Sequence, residues 1–107
     1  MKLRIRMPGL DVAALRGLDR KARLFLGRHA ASVQSVEIAR LARAGERTQQ
    51  VECEVLVSLR DGRVIRVHDD ENHVHRALLR AAWRIDQRRE LDRLRERNAP
   101  WAADESL

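Results

Sequence analysis

Three kinds of side chain in this sequence could do chemistry: one cysteine, a group of histidines among acids, and two ladders of arginine. Cys53 sits in the middle of the alternating run Val51, Cys53, Val55, Val57, Leu59, so it reads as a small buried apolar residue and not as a nucleophile. His68, His73 and His75 lie beside Asp69, Asp70 and Glu71. On a helix, residues two apart point about 200° from each other, so His73 and His75 would not chelate one ion from a single face. The acids and solvated histidines read as a helix start, with no metal site. The few serines stand in no motif that places a base beside them, there is no tyrosine, and the five glycines are isolated, so no Gly-rich turn cradles a phosphate. These absences point away from an enzyme, and no cofactor or small-molecule substrate is expected.

The arginines are more organised. Arg16, Arg20 and Arg23 stand at i, i+4 and i+7, with Lys21 and Arg28 beside them, and residues 12–28 hold five basic side chains against Asp19, a net of +4. Arg76, Arg80, Arg84 and Arg88 repeat every four residues with Arg89 adjoining. Residues 74–97 hold eight basic and four acidic side chains, again +4, with no acid before Asp86. Together these segments exceed the +6 of the whole chain, so the remainder is slightly acidic. One such run is usually a solvated face. Two sharing a layer suggest a polyanion met mainly through phosphates, and the scarcity of aromatics (Phe25, Trp83, Trp101) argues against base stacking on single strands.

The elements that must position these residues follow from periodicity. Leu3, Ile5 and Met7 alternate with Lys2, Arg4 and Arg6, a strand ended by Pro8-Gly9. Asp11 is placed to cap a helix over residues 12–26, whose apolar stripe is Leu15, Leu18, Ala22, Phe25 and Leu26, with Gly27 ending it in the left-handed conformation. A second strand is expected from Val36 to about Arg43 with an irregularity near Ala39, then a turn over 44–48 and a third strand over 51–59. A three-residue loop, Arg60 to Gly62 with Gly62 in a bulge, pairs Val57 with Ile65 and Val55 with Val67, whereas a two-residue loop would bury Arg66. The fourth strand is expected over 63–68. The acidic run 69–72 suits the positive end of a helix over 74–97, which Asn98-Ala99-Pro100 stops. The reading is α+β: a β-α-β-β-β-α two-layer sandwich, four strands with both helices on one face, over residues 1–97 with a short flexible tail over 98–107.

The 107 residues leave room for one hydrophobic core. A lone cysteine forms no internal disulfide, and neither a continuous apolar leader nor a membrane span is present, so the expected setting is the cytoplasm, without a membrane partner. Of 22 basic residues 20 are arginine, which fits either coding preference or guanidinium recognition of phosphate.

The element order, the opening Lys2-Leu3-Arg4-Ile5-Arg6, the Arg-rich first helix, the Val51 to Leu59 strand, the Asp61-Gly62 turn and the run from Asp70 to Ile85 into a basic helix resemble the ribosome hibernation-promoting factor / ribosome-associated inhibitor A family, in its short form. The resemblance covers about Met1 to Arg97. It implies a translation inhibitor, a monomer off the ribosome, that binds small-subunit rRNA in the mRNA and tRNA channel of resting cells. It further implies rRNA contacts at Arg16, Arg20, Lys21, Arg23 and Arg28, then Arg76, Arg80, Arg84, Arg88 and Arg89. The chain departs from the family where an aromatic residue usually stands early in helix two and His73, Val74 and His75 occur instead. The other readings of the same residues are a double-stranded-RNA-binding module, whose α-β-β-β-α core has a similar layout, and a protein-interaction subunit that needs no RNA.

Overall fold

A computed structural model describes residues 1–43 and 50–105; the turn expected over 44–48 and the last two residues of the expected tail lie outside the described residues. The order is β1 (Lys2–Arg6), α1 (Val12–Leu26), β2 (Val33–Arg43), β3 (Gln50–Leu59), β4 (Val64–Asp70) and α2 (Val74–Glu105). The strands form one sheet in sequence order, with β1 parallel to β2 and the other neighbours antiparallel. Parallel neighbours cannot be joined by a hairpin, so β1 and β2 need a crossover, and α1 supplies it. This is the α+β arrangement that the sequence implies.

Period-2 alternation turns Val36, Ile38, Cys53, Val55, Val57, Ile65 and Val67 to one face, where all are buried. Against them α1 presents Ala22 and Leu26, and α2 presents Val74, Ala77, Leu78, Ala81, Ala82 and Ile85. The small alanines of α2 let that helix lie close to the sheet. The opposite face is polar, with an ion pair Arg6–Glu37 at 3.3 Å and a His68–Glu54 hydrogen bond at 2.6 Å. No described helix is long and apolar enough to cross a membrane.

The β3–β4 hairpin has the expected register, Val57 opposite Ile65 and Val55 opposite Val67. The Leu59 amide donates to Arg63 and the Gly62 amide to Leu59, and Gly62 takes φ +92°, a conformation that a Cβ would strain. Asp11 caps α1, accepting from the Ala14 amide at 2.7 Å.

Four boundaries differ from expectation, each for a local reason. Gly27 is right-handed (φ −61°), because the chain does not stop there but tightens into a 3-10 turn, Gly27–His29. β2 begins at Val33, and its irregularity lies between Val33 and Ser35, not near Ala39. Val33 and Val36 both face the core although three residues apart, and the extra residue, Gln34, is absorbed by a bulge. β4 continues to Asp70, so Asp69 and Asp70 end a strand. Asp70 then caps a second 3-10 turn, Glu71–His73, by accepting from the Asn72 amide at 2.9 Å. Finally, Asn98-Ala99-Pro100 does not stop α2, which runs to Glu105. A proline removes one amide donor from the helical ladder, and the backbone on either side continues it here.

Candidate nucleic-acid interface

The basic side chains of α1 are exposed, away from the stripe that buries Ala22 and Leu26. Arg16, Arg20 and Lys21 are exposed and make no ion pair or side-chain hydrogen bond among the described residues. Arg23 is held by Asp19 one turn earlier, Nε to Oδ1 2.8 Å. Arg28, just past the helix, binds Asp86 of α2 and donates from Nε to His29 Nε2 at 3.2 Å.

The α2 ladder is less free than its spacing suggests. Asp69, at the end of β4, faces the first turns of α2, and its side chain is 5% exposed. It accepts from Arg76 Nε at 2.7 Å and Nη2 at 2.5 Å, and from Arg80 Nη2 at 2.7 Å. These guanidiniums hold its carboxyl well below the usual carboxylate range. Arg80 also donates to the His68 carbonyl at 2.8 Å, and Arg84 to the Arg66 carbonyl at 2.7 Å. Because Arg63, Ile65 and Val67 turn their backbone groups toward β3, the Arg66 and His68 carbonyls point away from it. Two arginines of the ladder therefore cover the outer edge of the sheet. Arg88 is half-buried and Arg89 exposed, and both line a cleft with Arg60, Asp61, Arg63 and Asp92. In that cleft Arg63 bridges Asp61 and Asp92, at 2.6 and 2.7 Å, and the bridge lowers both carboxyls from their ordinary values.

The structure thus gathers all ten nominated side chains onto the helical layer but divides them. Arg16, Arg20 and Lys21 stand unpaired on α1. Arg76, Arg80 and Arg84 are tied to β4, and Arg28 and Arg89 converge on His29. A guanidinium has five donors, so the tied arginines keep some free for an outside oxygen atom.

Periodicity did not single out His29. Its side chain is 1% exposed, wedged between the two helices with Asp86 at 3.3 Å and Arg89 Nη1 at 3.5 Å from its other ring nitrogen. Burial lowers its pKa below 6.5; Asp86 opposes the shift, and Arg28 and Arg89 reinforce it. The sequence signal that could have found it is a lone His just after a helical stripe and just before a strand, where the chain must turn inward.

The other candidates behave as ordinary structure. Cys53 is buried, donates weakly to the Asp70 carbonyl at 3.4 Å, and burial raises its thiol pKa, which disfavours the nucleophilic thiolate. His73 closes the 3-10 turn and His75 begins the helix, so the 200° argument does not govern them, and their rings lie 6.2 Å apart. No group of three or more metal-ligating side chains occurs among the described residues.

No protein-family model and no curated protein matches the chain. Among solved structures, the chain is similar to one described as Thermus thermophilus Protein Y N-terminal domain: 18% identity, 81% of this chain and 90% of that chain covered, TM-score 0.49.

Proposed function

We propose that this chain is a non-catalytic, ribosome-associated translation inhibitor that binds small-subunit rRNA through its helical layer. The reading rests on the family resemblance in the sequence together with one observation. Exposed cations with no partner among the described residues, Arg16, Arg20 and Lys21, share a layer with the arginines of α2. Such a surface neutralises phosphates and releases their counterions, so it takes RNA by backbone and shape. Inhibition follows from occupancy: a folded domain seated in the mRNA and tRNA channel excludes both, and no bond need be made or broken.

Co-sedimentation with small ribosomal subunits at rising salt tests this. Log affinity is expected to fall linearly with log salt, by about 0.7 to 0.9 per phosphate neutralised. Arg20→Glu with Lys21→Glu reverses two charges without breaking an internal bond among the described residues, and is expected to abolish pelleting at intermediate salt. Failure of the unaltered protein to pellet at low salt refutes the proposal. Equal binding to an isolated RNA duplex identifies a double-stranded-RNA-binding module instead, and binding insensitive to RNase identifies a protein partner.

A further inference from the structure

Between the outer surfaces of α1 and α2 runs a groove that the phosphate-binding reading leaves unused. Leu24 is 72% exposed, Leu79 49% and Trp83 58%. The groove includes Phe25 and Ala82, and Arg28 and Asp86, bound to each other, also line it. Leu79 and Trp83 stand one turn apart on α2, just off the buried stripe of Leu78, Ala81, Ala82 and Ile85, so helical periodicity itself turns them outward. Adjacent large apolar side chains left in water mark an interaction surface more often than isolated ones do.

The surroundings select the occupant. Arg20 and Lys21, exposed and unpaired among the described residues, lie one turn before Leu24, while Arg76 and Arg80, one turn before Leu79 and Trp83, are held by Asp69 and keep some N–H donors free. A second copy placing the same groove against this one would bring these like charges together. An acidic peptide would suit the flanks, but inside the groove its carboxylates would meet apolar side chains and Arg28, which Asp86 already holds. A nucleobase satisfies both conditions. It is uncharged and flat, its amino group can donate to Asp86, and its phosphates fall outside, among the cations.

We propose that Trp83 is a stacking platform for one unpaired nucleobase of bound RNA. This rests on the RNA-binding reading above and adds a contact to a base. The scarcity of aromatics in the sequence does not oppose it, because one exposed indole among cations is enough for one base. A stacked base is worth about a 5- to 100-fold change in affinity.

The test combines pelleting with fluorescence. Trp83→Phe keeps an aromatic face, whereas Trp83→Leu keeps apolar bulk and loses it. Affinity for small subunits is expected to fall about 5- to 100-fold with Leu and by much less with Phe. In Trp101→Phe, Trp83 is the sole indole, and oligoadenylate is expected to quench its emission while polyglutamate does not. Trp83→Leu binding as tightly as the unaltered protein, quenching by polyglutamate alone, or a dimer in sedimentation abolished by Trp83→Leu each overturns the proposal. Equal RNA binding by Leu and Trp leaves the RNA-binding reading intact, whereas no binding by the unaltered protein removes both.

Discussion

Replacing Asp69 with asparagine isolates the clamp between β4 and α2. The carboxylate receives three bonds from Arg76 and Arg80 and one from the Asp70 amide, at 2.5 to 2.7 Å, in a position almost closed to water. A charge-assisted hydrogen bond contributes about 1.5 to 3 kcal/mol, and loss of a partner in a fully buried pair costs about 3 to 5 kcal/mol. Both arginines are about half exposed and can turn to solvent, which lowers that cost, so Asp69→Asn is expected to destabilise the fold by about 2 kcal/mol. With a urea m-value of about 2 kcal/mol/M, the unfolding midpoint falls by about 1 M. The carboxyl titrates lower in the folded than in the unfolded state, so its stabilisation is present above the unfolded pKa of about 4 and is lost as pH falls below it. Asp69→Asn should lack that component of acid sensitivity. It also releases Arg76 and Arg80 and adds one net positive charge, so binding to small subunits at low salt should be kept or strengthened while stability falls. Midpoints within about 0.2 M of each other, with the same acid profile, would refute the reasoning.

His29→Gln removes the buried titratable ring between the helices. Because the folded pKa lies below 6.5, the unfolded state binds the proton first and stability falls as pH drops below 6.5; thermal unfolding between pH 7 and 5 should show a shallower slope in the variant. Leu78→Ala empties a fully buried position of α2 over the sheet and should cost about 2 to 5 kcal/mol in urea unfolding, with little effect on binding at temperatures where the variant stays folded.

The hairpin register was legible in the sequence because a one-residue slip would have buried Arg66, and the buried faces were legible because their spacing is strict. β2 was harder to read. A bulge converts inward-facing Val33 and Val36 into a three-residue spacing that belongs to neither a strand nor a long helix, so its first residues were missed. The helix ends depended on backbone tightening at Gly27 and continuation through Pro100, which composition does not encode. In the candidate interface the cations were legible by type and spacing, but their partners were not. Asp69 lies seven and eleven residues before Arg76 and Arg80, and only the turn from β4 into α2 brings them together. The acidic run looked like a helix start for the same reason. The exposure of Trp83 follows from its place just off the buried stripe, but its meeting with Leu24 and Phe25 of α1 depends on how the two helices pack.

The arginine cover on β4 sets the valence of the sheet. Growth of a fibre by edge-to-edge pairing needs two receptive edges on every molecule, one to accept a neighbour and one to offer the next. Arg80 and Arg84 occupy the outward carbonyls of His68 and Arg66, which leaves β1 as the remaining edge. With β1 the one receptive edge among the described strands, pairing through it consumes that edge in both partners and terminates at two chains. The guanidiniums of Arg80 and Arg84 thus act at the β4 edge as a chain stopper.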